Sequence, residues 1–192
     1  DKPIIAIVPG SRKQELKRIL PPMLKITERF GDYQFVITGV PTISEKFYAR
    51  LIKNYPVKII YGRTYDLLRV ARAAAVKSGT VTLETAMLGV PEVVCYRFSL
   101  VSALAAGLVV RVKFISLVNL ILDRKAVPEL IQFNFTPDAL SRELALILPD
   151  GEARSRMLDD YKELREKVGT AGASARAAAI MVANLRNDTV TK

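Results

Sequence analysis

The stretch Ala73-Ala74-Ala75-Val76-Lys77-Ser78-Gly79-Thr80-Val81-Thr82-Leu83-Glu84 decides how this chain is read. The small apolar residues 73–77 suit a strand buried on both faces, and residues 80–88 suit a helix. Between them a glycine turn flanked by two hydroxyls opens that helix. Free N–H groups and the positive end of the helix dipole make such a turn an anion site. Ser78, Gly79 and Thr80 are the groups that would face a diphosphate. Glu84, on the first turns of the same helix, is either an acceptor for a sugar or ribose hydroxyl or a surface acid.

A second turn of the same kind, Pro9-Gly10-Ser11-Arg12, follows the apolar residues 4–8. Gly10 and Ser11 repeat the glycine–hydroxyl pattern. Arg12 is either a fork of donors for a phosphate or a solvated charge beside Lys13. The Gly-Lys-Ser/Thr ending of a P-loop is missing. Ser11-Arg12-Lys13-Gln14 predicts a capping box, with Ser11 as N-cap of a helix reaching about residue 30 and bent near Pro21-Pro22. Diphosphate and sugar contacts side by side suggest a nucleotide-sugar ligand.

Working outward, residues 33–38, 57–61 and 92–95 read as further strands, and 43–54 and 65–71 as helices. Strands that are apolar throughout and alternate with helices predict an α/β fold, a Rossmann-like parallel sheet flanked by helices. Ligands of such sheets lie beyond the carboxyl ends of the strands. Gly10-Ser11, Gly39, Gly62-Arg63, Ser78 to Thr80 and Tyr96-Arg97 all fall on that edge. For Gly39 and Gly62, simple turns explain the glycines equally well. Tyr96 and Arg97 are either rim residues or substrate donors.

The regular pattern breaks after Tyr96. Residues 99–110 are apolar on nearly every side, with Arg97 before them and Arg111 and Lys113 after. The run is too short to span a bilayer. It reads either as a core helix or as a surface patch that touches membrane or acyl chains. Asn119, amid the apolar residues 115–122, is a buried hydrogen-bonding residue or a sugar contact. Residues 128–132 predict a short helix with proline in its first turn, carrying Glu129 and Gln132 as rim residues or substrate donors. Thr136-Pro137 caps a helix to residue 148. Helices at 153–168 and 174–187 follow, the second alanine-rich and expected to pack on a neighbour. Residues 1–150 therefore read as the nucleotide-sugar domain and 151–192 as a helical extension.

Half of the 192 residues are hydrophobic, enough for a real core. Cys95 is the sole cysteine, which excludes an intrachain disulfide and fits a buried strand position. With no histidine, a zinc or haem cluster and a Ser–His–Asp or Cys–His catalytic arrangement are excluded. The acids are not grouped as a Mg²⁺ site, so no metal or cofactor is expected. A net charge of +10 favours anionic partners. The basic residues are dispersed, without an arginine-rich run or interleaved aromatics, which argues against nucleic acid. No signal peptide opens the chain, and Asp1-Lys2-Pro3 before a buried strand reads as a domain boundary.

Five ordered blocks resemble the C-terminal half of the lipid-A-disaccharide synthase family, nucleotide-sugar glycosyltransferases of the two-Rossmann-domain (GT-B) kind. They begin with Val8-Pro9-Gly10-Ser11-Arg12-Lys13-Gln14-Glu15, Ser78-Gly79-Thr80-Val81-Thr82-Leu83-Glu84 and Pro91-Glu92-Val93-Val94-Cys95-Tyr96-Arg97. Phe114-Ile115-Ser116-Leu117-Val118-Asn119-Leu120-Ile121 and Val127-Pro128-Glu129-Leu130-Ile131-Gln132 complete them and are the more specific.

The resemblance implies a donor pocket for UDP-2,3-diacylglucosamine lined by Arg12, Ser78 to Thr80, Glu84, Arg97, Asn119 and Gln132. It implies 2,3-diacylglucosamine 1-phosphate as acceptor and UDP as leaving group. The catalytic residues, a general base among them, would lie in the N-terminal half, so the 192 residues alone would lack turnover. It further implies a bacterial cytoplasmic protein peripheral to the inner face of the inner membrane, and homodimers through C-terminal helices. Lys77 departs from the small or neutral residue expected before Ser-Gly-Thr. It adds a phosphate contact or points away. The rival readings are another UDP-N-acetylglucosamine-using GT-B enzyme or epimerase, and a non-catalytic nucleotide or membrane-surface module.

Overall fold

The computed structural model describes residues 2–97, 113–169, 172, 175 and 177–183. Its strands are Ile4–Val8 (β1), Gln34–Gly39 (β2), Val57–Tyr61 (β3), Ala71–Lys77 (β4), Glu92–Tyr96 (β5) and Glu129–Ile131 (β6). They form one sheet in the order β3-β2-β1-β4-β5-β6, with every neighbouring pair parallel. Its helices are Lys13–Leu24 (α1), Glu45–Ile52 (α2), Thr64–Val70 (α3), Thr80–Met87 (α4), Leu117–Leu122 (α5), Pro137–Ile147 (α6) and Arg154–Val168 (α7).

Both faces of the sheet are buried, which is why its central strands carry no polar alternation. Ile5, Ile7, Phe35, Ile37, Ala73 and Ala75 point to one side. There they meet Ile19, Leu20 and Met23 of α1, Leu140 and Leu144 of α6, and Tyr161 and Leu164 of α7. The intervening residues Ala6, Val8, Val36, Ala74 and Val76 point to the other, onto Leu67 and Leu68 of α3. Each fully buried large aliphatic contributes about 1.5–3 kcal/mol over its exposed state. Ala73, Ala74 and Ala75 of β4 are fully buried between these layers, so a larger side chain there would have to displace a helix.

Three expectations change. The capping box does not form. Gly10 turns the chain at a φ of 100°, and Arg12 is still extended (φ −110°, ψ 137°). Helical dihedrals therefore begin only at Lys13, and no side chain caps α1. That helix also ends at Leu24 rather than near residue 30, with Pro21 and Pro22 inside it and a 3₁₀ turn over Thr27–Arg29. The helix expected at 128–132 is a sixth strand, in register with β5 as Val94↔Glu129, Cys95↔Leu130 and Tyr96↔Ile131. Its open edge on β5 outweighs a proline signal that is only local. A 3₁₀ turn, Gln132–Asn134, follows it.

The apolar run 99–110, and Arg111 beside it, lie outside the described residues. Residues 175 and 177–183 of the expected last helix are helical and exposed, Ile180, Met181 and Val182 among them. Among the described residues, no helix is long and apolar enough to cross a membrane. α7 is tied back by Arg124, which donates to Asp160 at 2.6 Å and to Glu163 at 2.5 Å. Arg124 first, then Lys167, lowers the Glu163 carboxyl to about 2.

Glu92 opens β5 with no solvent exposure, and among the described residues neither carboxyl oxygen has a hydrogen-bond partner. Burial pushes its pKa well above the ordinary 4.5. As pH rises past 4.5 the unfolded chain ionises at Glu92 while the folded chain stays protonated, so this group lowers stability with rising pH. Glu92→Met should therefore stabilise the chain by about 1–3 kcal/mol at pH 8 and by less at pH 4.5, read from denaturant unfolding at both pH values.

Candidate functional site

The strand order places β2 and β3 on one side of β1, and β4 to β6 on the other. Chain connections diverge at such a reversal and leave a crevice at the carboxyl ends of the two central strands. β1 and β4 pair as Ile7↔Ala75 and Val8↔Val76, which sets the turn after Val8 beside the turn after Lys77. A cleft of about 450 Å³ opens there. Gly10, Ser11, Arg12, Gly79, Thr80 and Glu84 all line it.

Of the helices that start on this cleft, the two that follow β1 and β4 carry no side-chain cap: α1 follows Arg12 and α4 follows Gly79. Their first N–H groups and positive dipole ends suit an anion. Gly79 is extended (φ 163°), and a Cβ on it would sit 3.8 Å from the Lys77 ammonium, an ordinary contact. At Gly10 a Cβ would lie 2.8 Å from a Glu15 carboxylate oxygen, in a backbone conformation that already favours glycine. The Arg12 side chain is 82% exposed, with one nitrogen 3.8 Å from Glu15. Inside α4 the hydroxyls of Thr82 and Thr85 donate to Gly79 O and Val81 O, so these buried threonines are satisfied within their own helix.

Lining residues not anticipated from sequence come mainly from neighbouring strand ends and helix starts: Thr38, Val40, Thr64, Tyr65 and Glu15. Glu15 lies three residues after Arg12, and that helical spacing is the signal the sequence carries for it. The Glu84 carboxylate beside Tyr65, through hydrogen bonding first and then its charge, raises the Tyr65 phenol above its usual value. No local pattern joins residues 65 and 84; only the fold does. Gly39 and Gly62 are not lining residues of this cleft.

Ser78 lies beneath the turn. Its hydroxyl donates to Ile115 O at 2.9 Å and its N–H to Cys95 O at 3.0 Å. That bond joins the cleft to a second polar cluster. The Asn119 Oδ1 accepts from the N–H groups of Ala126 and Val127 at 2.8 and 2.9 Å. Its Nδ2 donates to Val127 O and to Glu129 Oε1, each at 2.9 Å. The whole hydrogen-bonding capacity of that fully buried amide is thus engaged within the fold. The Glu129 carboxylate also accepts from Ile115 N at 3.0 Å and Ser116 N at 2.9 Å, holding the start of α5.

Arg97 donates to Phe135 O at 2.7 Å and lies over the Phe135 ring. Gln132 follows β6 at the same sheet edge in a left-handed conformation (φ 53°). The Tyr96 ring centroid is 5.5 Å from the Lys77 ammonium. Of the twelve expected site residues, six line the cleft, Asn119, Glu129, Arg97 and Ser78 bond to the structure beside it, and Tyr96 and Gln132 stand at the carboxyl ends of β5 and β6. Among the described residues, no group of three Cys, Asp or Glu stands close enough to hold a metal ion.

Six parallel strands in this order, with two uncapped helix starts on the reversal crevice, define a Rossmann-like domain of the GT-B glycosyltransferase fold. Solved structures share it. The calicheamicin glycosyltransferase matches with a TM-score of 0.60 at 17% identity, over 96% of this chain and 42% of that one. The spinosyn rhamnosyltransferase complexed with thymidine diphosphate matches with a TM-score of 0.54 at 15% identity, over 84% and 42%. The family model described as lipid-A-disaccharide synthetase matches residues 1–183, and the chain belongs to that family. The lipid-A-disaccharide synthase of Syntrophus aciditrophicus (strain SB) is 39% identical over 93% of this chain and 48% of its own length. That of Myxococcus xanthus (strain DK1622) is 35% identical over 93% and 48%. The chain thus spans about half the length of these curated relatives.

Gly10→Ala should destabilise the chain by about 1–3 kcal/mol, whereas Gly79→Ala should leave the melting temperature nearly unchanged. Asn119→Ala, which breaks four buried hydrogen bonds, should cost at least about 2 kcal/mol in denaturant unfolding.

Proposed function

We propose that this chain is the donor-binding half of an inverting glycosyltransferase. It holds UDP-2,3-diacylglucosamine while the sugar passes to 2,3-diacylglucosamine 1-phosphate. The acceptor hydroxyl oxygen bonds to the anomeric carbon, the bond from that carbon to the diphosphate breaks, and UDP departs. The hydroxyl proton goes to a general base, expected outside these 192 residues. The observation that carries this reading is the convergence of two uncapped helix starts and Glu84 on one crevice, in a chain of this family.

In this reading the diphosphate lies across the starts of α1 and α4, with Arg12 at its rim. Fixed N–H dipoles there stabilise the charge that develops on the leaving group. Glu84, positioned by Tyr65, accepts from a ribose hydroxyl. The network of Asn119, Glu129 and Ser78 keeps the Ser-Gly-Thr turn in place for the donor. The surplus positive charge and the apolar run 99–110 suit adhesion to an anionic membrane carrying acylated substrates, on the cytoplasmic side. The exposed apolar residues at 180–182 suit contact with the other half of the enzyme or with a second copy.

Calorimetric titration of the whole gene product with UDP, in the presence of a chelator, tests this. Saturable binding is expected, weakened about tenfold or more by Glu84→Ala with no change in melting temperature. Absence of saturable binding to folded protein would refute the donor-site reading.

A further inference from the structure

Lys77 is the last residue of β4, and its side chain is only 18% exposed. Its position in the cleft is unusual. The stem passes beneath Gly10, where a Cβ would lie 3.5 Å from its Cγ and Cδ. The ammonium emerges beside Gly79, 3.8 Å from where a Cβ would stand. The charge therefore sits between the two turns on which α1 and α4 begin, and Gly10 and Gly79, the residues nearest it in each turn, have no side chain to cover it.

The ammonium meets one carboxylate oxygen, Glu15 Oε1, at 3.3 Å, and the face of Tyr96. The same oxygen is 3.8 Å from Arg12. Two cations thus share one carboxylate at this end of the cleft, while the other lining acid, Glu84, is engaged with Tyr65. An ammonium has three donors, and Glu15 occupies one direction. A half-sequestered cation in a low-dielectric wall acts more strongly on an entering anion than a solvated one.

Resting on the donor-site reading above, we infer that Lys77 is a further phosphate-binding residue of this chain, its ammonium held by Glu15 between the two helix starts and bonding the diphosphate of the nucleotide donor. Its charge would also stabilise the diphosphate as it leaves the sugar. The competing role is a purely structural ion pair between β4 and α1. That role predicts equal effects on every ligand of the cleft, whereas a phosphate contact scales with the phosphates present.

The test is to titrate wild type, Lys77→Met and Lys77→Arg, as the whole gene product, with UDP by calorimetry and with uridine by ligand-observed NMR. Lys77→Met should weaken UDP about tenfold or more and change uridine by less than about twofold, with Lys77→Arg recovering part of the loss. Unchanged UDP affinity in a folded Lys77→Met protein, or equal loss for UDP and uridine, would overturn the inference and leave the donor-site reading standing. If wild type itself fails to bind UDP, both fall together. Lys77→Gln serves as the neutral variant should Lys77→Met prove unstable.

Discussion

The pairing of β1 with β4 is the constraint on which the remainder depends. These strands meet at the point where the sheet order reverses, and each is followed by a turn that opens a helix. Their register from Ile5↔Ala73 to Val8↔Val76 fixes how far each turn projects. A slip of one residue would exchange the faces of β4, sending Ala74 and Val76 toward the layer that now receives Ala73 and Ala75. It would also separate Gly10 from Gly79. The alanines therefore serve the site as well as the core: helices close on both faces of β4, and the turn beyond it has a single position.

Polar groups buried next to that pairing secure it from the β6 side. Asn119 binds the loop at Ala126 and Val127, Glu129 holds the start of α5, and Ser78 bonds Ile115 from beneath the cleft. A network with its polar capacity satisfied is rigid, because any displacement exposes a buried donor or acceptor. Glu92, close by in the same strand as Cys95, has no such compensation. The two glutamates of this region thus behave differently: the half-buried Glu129 is an organised acceptor, whereas the fully buried Glu92 has no hydrogen-bond partner among the described residues and a carboxyl that burial pushes well above its ordinary value.

The cleft combines two kinds of anion-attracting feature. Helix starts supply directed N–H groups with no side-chain cost, and they recur wherever a glycine turn precedes a helix. Arg12 and Lys77 supply full charges. Arg12 is exposed and screened, while Lys77 is mostly enclosed and restrained by Glu15. Glu15 offsets part of that positive charge.

Much of the fold was legible in the residues themselves. Five apolar strands, the helices between them and both glycine turns were placed by local pattern, because a parallel strand buried on two faces has a distinctive composition. The direct reading of Gly10 to Arg12 and Ser78 to Glu84 identified six residues that the fold assembles around one cleft. Other features were decided only by tertiary structure. Residues 128–132 carry a helix-start proline, yet they form β6 because β5 offers an unpaired edge. The start of α1 moved past Ser11 because Gly10 takes a positive φ in the assembled turn. The internal bonding of Asn119 and Glu129, the contact between Tyr65 and Glu84, and the direction of Lys77 link residues distant in sequence. Local sequence specifies which elements form, since propensity and periodicity act over a few residues. Which side chains meet depends on sheet order and register, which no single segment contains.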